Sequence, residues 1–163
     1  SFMKKIIAAI DFKDTSQELC YFALDFASKL NAELIFVTVL NDWDVAAVGK
    51  ISSMGYKVDG DHYSEDIEHD SIEKIKNIIK ECGFPEVEKK LVLKSGRPAK
   101  EVLTLAVKEK ADAVIVGEKT HKDFEHTFEI SVSGRIYKKS PITVISFRTK
   151  QYSEKLKKKL NIH

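Results

Sequence analysis

The sequence predicts an α/β fold: an open, doubly wound, mostly parallel sheet with helices on both faces. Two observations carry that expectation. Short apolar runs without strict alternation, the mark of strands buried on both faces, recur along the chain. Between them lie segments whose apolar residues repeat at helical spacing, and a strand–helix–strand order favours parallel pairing. At 163 residues, 43% hydrophobic and 32% charged, the chain has room for one domain with a sizeable core.

Residues 4–10 form the first apolar run, which stops at Asp11. Thr15 and Glu18 then give a capping-box signal. Leu19, Phe22, Ala23, Phe26, Ala27 and Leu30 follow on one face, so a helix is expected over 16–30, closed by Asn31 in the left-handed conformation. ELIFVTVL, residues 33–40, is the second strand. The stretch from Asn41 to Tyr63 holds Trp43 and three glycines with mixed polarity, and reads as a long functional loop with a short helical piece. A helix is expected over 64–82 on the spacing of Ile67, Ile72, Ile75, Ile78 and Ile79, ended by Gly83 and Pro85. A third strand over 87–93 leads to Ser95-Gly96-Arg97-Pro98, a turn that opens a helix over 98–110 with Val102, Leu103, Leu105, Ala106 and Val107 inward. Residues 111–116 are the fourth strand, 131–139 the fourth helix and 142–147 the fifth strand. Beyond Arg148 the basic sequence TKQYSEKLKKKLNIH reads as a solvated, fraying tail.

The stretch VIVGEKTHKDFEHTFEISVSGRIYKKSPITVI, residues 114–145, holds an internal conflict. A glycine just past a strand, with a helix N-terminus behind it, is where α/β proteins hold phosphate. Yet residues 118–130 contain no further glycine, and a phosphate cradle needs glycines to let the backbone approach the anion.

Four pieces together resemble the universal stress protein family: KKIIAAID, ALDFASKLNAELIFVTVL, SGRPAKEVLTLAVKEKADAVIVG and SVSGRIYKKSPITVISF. The resemblance runs from Lys4 to about Phe147, and sets a domain at 3–148 apart from a basic tail at 149–163. It implies strand order 3-2-1-4-5, with Asp11 and Gly117 flanking one crevice at the topological switch point. It implies a homodimer through the last strand, Ile142 to Phe147. The family's nucleotide-binding branch carries Gly-x2-Gly-x9-Gly-Ser/Thr after strand four. Those positions fall here on Gly117, Thr120, Ile130 and Ser131, so only the first glycine and the serine are kept. Asp11 and Val39 match residues that contact the adenosine moiety in binders, and Val132 follows the serine as in the family pattern. Ile130 is β-branched, disfavours positive φ, and would place its side chain where a binder brings bare backbone to the phosphates.

Other chemistry finds little purchase. Asp11, Asp14, Thr15 and Ser16 form a polar cluster best read as helix capping. A nucleotidyl-transfer loop of the related PP-loop type would want Ser-Gly-Gly-x-Asp-Ser there, and the chain has Asp-Phe-Lys-Asp-Thr-Ser. No histidine pair has the helical spacing of a metal clip; His121 and His126 read as solvated loop residues. No nucleophile elbow is present. Trp43 reads as packing rather than a base-stacking platform. Cys20 and Cys82 are isolated thiols, which fits a reducing, cytoplasmic setting without a disulfide framework. The formal net charge of +2 does not argue for nucleic acid. No apolar run nears the ~20 residues that span a bilayer, and the N-terminal run is too short for a signal segment; Met3, behind Ser1 and Phe2, reads as the natural start. The sequence therefore points to a non-enzymatic, homodimeric stress-response protein acting through partners or a non-standard ligand, with no catalytic or metal residues. The alternative is an ATP- or AMP-binding protein using Asp11, Val39, Gly117, Thr120, Ser131 and Val132, with slow hydrolysis.

Overall fold

The computed structural model of the chain describes residues 2–12, 14–40, 60–117 and 132–161, with the backbone alone over 60–69. Five strands form one sheet: β1 (Lys5–Ala9), β2 (Glu33–Leu40), β3 (Lys89–Ser95), β4 (Ala113–Gly117) and β5 (Thr143–Phe147). Their order is β3-β2-β1-β4-β5 and all pairings are parallel, as the resemblance implies. The described helices are α1 (Gln17–Leu30), α2 (Gly60–Glu81), α3 (Pro98–Lys108), α4 (Val132–Lys139) and α5 (Lys150–Lys159).

Period-two alternation sorts the strands' side chains onto two faces. Ile6, Ala8, Leu34, Phe36 and Ile115 pack against Leu19, Ala23, Leu24 and Ala27 of α1 and Ile75 and Ile79 of α2. Ile7, Ile35, Val37, Val114 and Val116 pack against Val102, Leu105 and Ala106 of α3 and Ile136 of α4. The sheet is thus covered on both sides, which explains why its central strands read as continuous apolar runs. At the N-terminal edge, the Asp112 carboxylate accepts from the Lys4 and Lys5 amides at 2.8 and 3.0 Å and pins β4 to β1.

Several boundaries depart from the sequence reading. Val87 donates back to the Phe84 carbonyl at 3.1 Å in a turn, with Phe84 at φ 60°, so β3 starts at Lys89. α3 stops at Lys108 because Lys110 adopts φ 55°, and Val107 faces solvent at 58% exposure. α2 begins at Gly60, four residues before the expected start. The expected capping box does not form. Ser16 is the α1 cap and accepts from the Leu19 amide at 3.2 Å, while Thr15 donates its hydroxyl to the Asp11 carbonyl at 2.7 Å.

The tail expected to fray is a helix. Thr149 caps α5 by accepting from the Tyr152 amide, and Glu18 of α1 accepts from the Lys150 amide at 3.0 Å. A carboxylate at a helix N-terminus is favoured by the unpaired amides and by the dipole. Glu18 therefore caps the last helix of the chain instead of its own.

Candidate functional site

The crevice at the sheet's C-terminal edge is built by the order of strands. β1 lies between β2 and β4, so the chain leaves these three neighbours side by side. Asp11 follows β1 by two residues, and the Ile10 amide prolongs the β1–β2 ladder by donating to the Val37 carbonyl at 2.9 Å. Ala9 is level with Val37 on one side and Val116 on the other. Continuing that register brings Asp11 level with Val39 and places Gly117 one strand away. Asp11, Val39 and Gly117 thus share one edge, at the switch point where open α/β sheets take ligands.

Each of the three has its own environment. Asp11 is half-buried. Val39 is half-buried on the α3/α4 face of the sheet, packed with Val92 and Ala9 against that core. Gly117 ends β4 opposite Phe147 of β5 and has no positive φ. A Cβ there would come 2.8 Å from Cδ1 of Leu19. The approach of α1 favours glycine here, because a carbon–carbon contact that short lies well inside the optimum of about 3.5–4.0 Å and Leu19 would have to turn aside. The sequence offered Gly117 as a candidate nucleotide-binding glycine; its contact with Leu19 was signalled there by the helical periodicity that places Leu19 on the inner face of α1.

Val132 opens α4 and is 41% exposed, while the next residue, Ser133, is buried. Thr120, Ile130 and Ser131 lie outside the described residues, as do Trp43, His121, His126 and most of the stretch from Asn41 to Tyr63. The described residues therefore bring together Asp11, Val39 and Gly117, with Val132 at the head of α4, the next described element after Gly117. Beside this edge, a cleft of about 290 Å3 lies between β4, β5 and α4, lined by Val116, Ser133, Tyr137, Val144, Ser146 and Arg148. The Arg148 guanidinium donates to the Ser146 hydroxyl at 2.7 Å and sits 5.3 Å from the centre of the Tyr152 ring.

On the opposite face of β2, Thr38 is buried at 1% exposure, and its hydroxyl has no hydrogen-bond partner among the described residues. Among those residues no group of three or more His, Cys, Asp or Glu could hold a metal. Cys20 and Cys82 are both free thiols. Burial, and secondarily the nearby Cys82, pushes the Cys20 thiol up to about 12. Burial, with Glu81 adding to it, raises Cys82 as well. Both stay protonated at neutral pH and are poor nucleophiles. No described helix is long and apolar enough to cross a membrane.

Comparison with known proteins agrees with this frame. A model of the universal stress protein family matches residues 3–148. Universal stress protein MJ0531 of Methanocaldococcus jannaschii is 27% identical over 145 residues, covering 87% of this chain and 81% of the relative. Among solved structures, the hypothetical protein MJ0577 superimposes with a TM-score of 0.64 at 20% identity, covering 92% of this chain and 99% of the other. A universal stress protein solved in complex with cAMP gives a TM-score of 0.61 at 20% identity over 91% and 99%. One from Archaeoglobus fulgidus, solved in complex with dAMP, gives 0.57 at 18% identity over 90% and 98%. The strand order, the shared edge of Asp11, Val39 and Gly117, and the match over 3–148 lead to one conclusion: this chain belongs to the universal stress protein family.

Proposed function

We propose that this chain is a non-enzymatic, homodimeric stress-response protein whose crevice does not receive a triphosphate in the manner of the family's ATP binders. One observation carries the reading. Gly117 is the single glycine kept from the three-glycine cradle, and its lack of a side chain already serves the packing of Leu19. With Thr120 and Ile130 at the other two positions, residues 118–130 offer no glycine for close backbone approach to a phosphate chain.

The homodimer is supported by a contrast between the sheet's two edges. β3 carries Lys89, Lys90 and Lys94, and charged edges resist pairing. β5, TVISF, carries no charge, pairs among the described residues with β4 alone, and exposes Thr143 and Ser146. The segment from Ile142 to Phe147 is the edge that suits a second copy.

A second reading keeps a nucleotide. Asp11 and Val39 are the positions that the family uses for the adenosine moiety, and they share one edge here. The solved relatives carrying cAMP and dAMP hold one phosphate each, which asks less of a glycine cradle than ATP does. On this reading the crevice takes AMP in preference to ATP.

Titrating AMP and ATP separately into nucleotide-free protein, with Tm as readout, tests both. The first reading expects no rise with either. The second expects a rise with AMP that grows by mass action and a smaller one with ATP. A larger rise with ATP overturns the cradle argument. If the residue types at 120 and 130 are what exclude ATP, Thr120→Gly with Ile130→Gly creates ATP stabilisation; an unchanged response refutes that cause.

A further inference from the structure

α5 lies beyond the matched family region and behaves unlike the other helices. It buries no residue, and Tyr152, Leu156 and Leu160 belong to neither core cluster. Their i, i+4, i+8 spacing stacks them on one face, with Leu160 68% exposed. Lys155 and Lys159 flank that stripe, and residues 150–159 carry five lysines against one glutamate, Glu154. The helix is held to the body at its first turn by Glu18 of α1, while Thr149 caps it from within.

The same chain carries a surface of opposite character. A groove of about 530 Å3 runs between α1, the end of α2 and β5. Its apolar wall is Tyr21, Phe22 and Phe147, with Phe22 and Phe147 stacked at 5.0 Å. Its acidic rim is Glu18, Asp25 and Glu81. Asp25 is shared with Lys29 at 2.9 Å, four residues on, a side chain 73% exposed and able to swing away. No residue of α5 lines the groove. α5 starts three residues after Phe147, and its first amide is fixed on Glu18 of the rim.

We infer that α5 of one copy docks its Tyr152–Leu156–Leu160 stripe into the aromatic, acid-rimmed groove of a second copy, with Lys155 and Lys159 facing the rim carboxylates. Each chain has one helix and one groove, so a two-fold pair satisfies both and closes. The contact differs from edge pairing through β5, which uses the strand's backbone, although the Phe147 ring at the end of that strand lines the groove; it shares with the function proposed above that the partner is another copy of the chain.

The test uses the full chain and surface substitutions, with self-association measured by sedimentation equilibrium. Lys155→Glu with Lys159→Glu weakens association by roughly a hundred-fold, because a two-fold pair counts each reversed charge twice. Asp25→Lys with Glu81→Lys does the same. An equimolar mixture of the two variants recovers wild-type affinity, since each acidic helix then meets a basic groove and each basic helix an acidic one. An unchanged helix variant, a mixture that fails to recover, or a monomeric wild type overturns the inference. The first of these leaves β5 pairing standing, because Ile142 to Phe147 is untouched; the last removes both. Retention on phosphatidylserine vesicles that needs the α5 lysines, with association unchanged, overturns it in favour of a lipid surface.

Discussion

Gly117→Ala separates a packing glycine from a ligand glycine. The added Cβ meets Leu19 Cδ1 at 2.8 Å, and Leu19 is 4% exposed within the core of α1 and the sheet. The contact is with the far end of a flexible side chain, so relief comes from turning Leu19 off its rotamer by about 30°, which costs about 0.5–1.5 kcal/mol. In a chain of this size that lowers Tm by about 1–6 °C. The diagnostic is the same substitution in a Leu19→Ala background. Leu19→Ala alone costs about 2–5 kcal/mol as a buried leucine truncated to alanine. With Cδ1 gone, Gly117→Ala becomes neutral or stabilising, because its methyl enters the space left behind. Denaturant melts of the four chains give a coupling energy of about 1 kcal/mol or more. Equal cost in both backgrounds refutes the packing role. A Gly117→Ala chain that keeps its stability but loses nucleotide-induced stabilisation returns the glycine to the ligand.

Three further outcomes follow from the same geometry. Thr38→Val removes a buried hydroxyl with no partner among the described residues and keeps the side chain's shape, so stability rises by about 1 kcal/mol in urea melts; a loss of stability means that the hydroxyl is satisfied. Glu18→Ala uncovers the Lys150 amide and costs about 0.3–1 kcal/mol at the α5 N-terminus, read as faster hydrogen exchange in the first turn of α5 with exchange in β1 and β4 unchanged. Hydrogen bonds from the Lys4 and Lys5 amides hold the Asp112 carboxyl below its usual range. A carboxyl depressed in the folded state stabilises above its unfolded value near 3.9 and loses that contribution as pH falls through the folded value. Wild type therefore loses stability in this acid range more steeply than Asp112→Asn does, and equal slopes in acid titrations of Tm would contradict this.

Much of the fold was legible because burial on both faces writes itself into residue type. KIIAA, ELIFVTVL and AVIVG are apolar except for Lys5, Glu33 and Thr38, since α1 and α2 cover one face of their strands and α3 and α4 the other. The alternation of strands and helices then fixed the class, and four sequence pieces fixed the family. Boundaries were less legible, because the Phe84 and Lys110 conformations that end elements involve positive φ at residues with no preference for it. α5 was misread because its stripe of Tyr152, Leu156 and Leu160 is thin, and its N-terminal support comes from Glu18, 132 residues away.

By itself, then, the sequence determined the layers and the strand count, because these follow from local periodicity and from chain order, while the crevice flanked by Asp11 and Gly117 was implied by the family resemblance, which supplies the strand order. Only the tertiary structure decided that Leu19 packs against Gly117, which helix Glu18 caps, and that an acid-rimmed aromatic groove and a lysine-rich helix coexist on one chain. Each of these is a contact between residues remote in sequence. A residue's type records that a constraint exists; the neighbour that imposes it is set by the packing of one element against another.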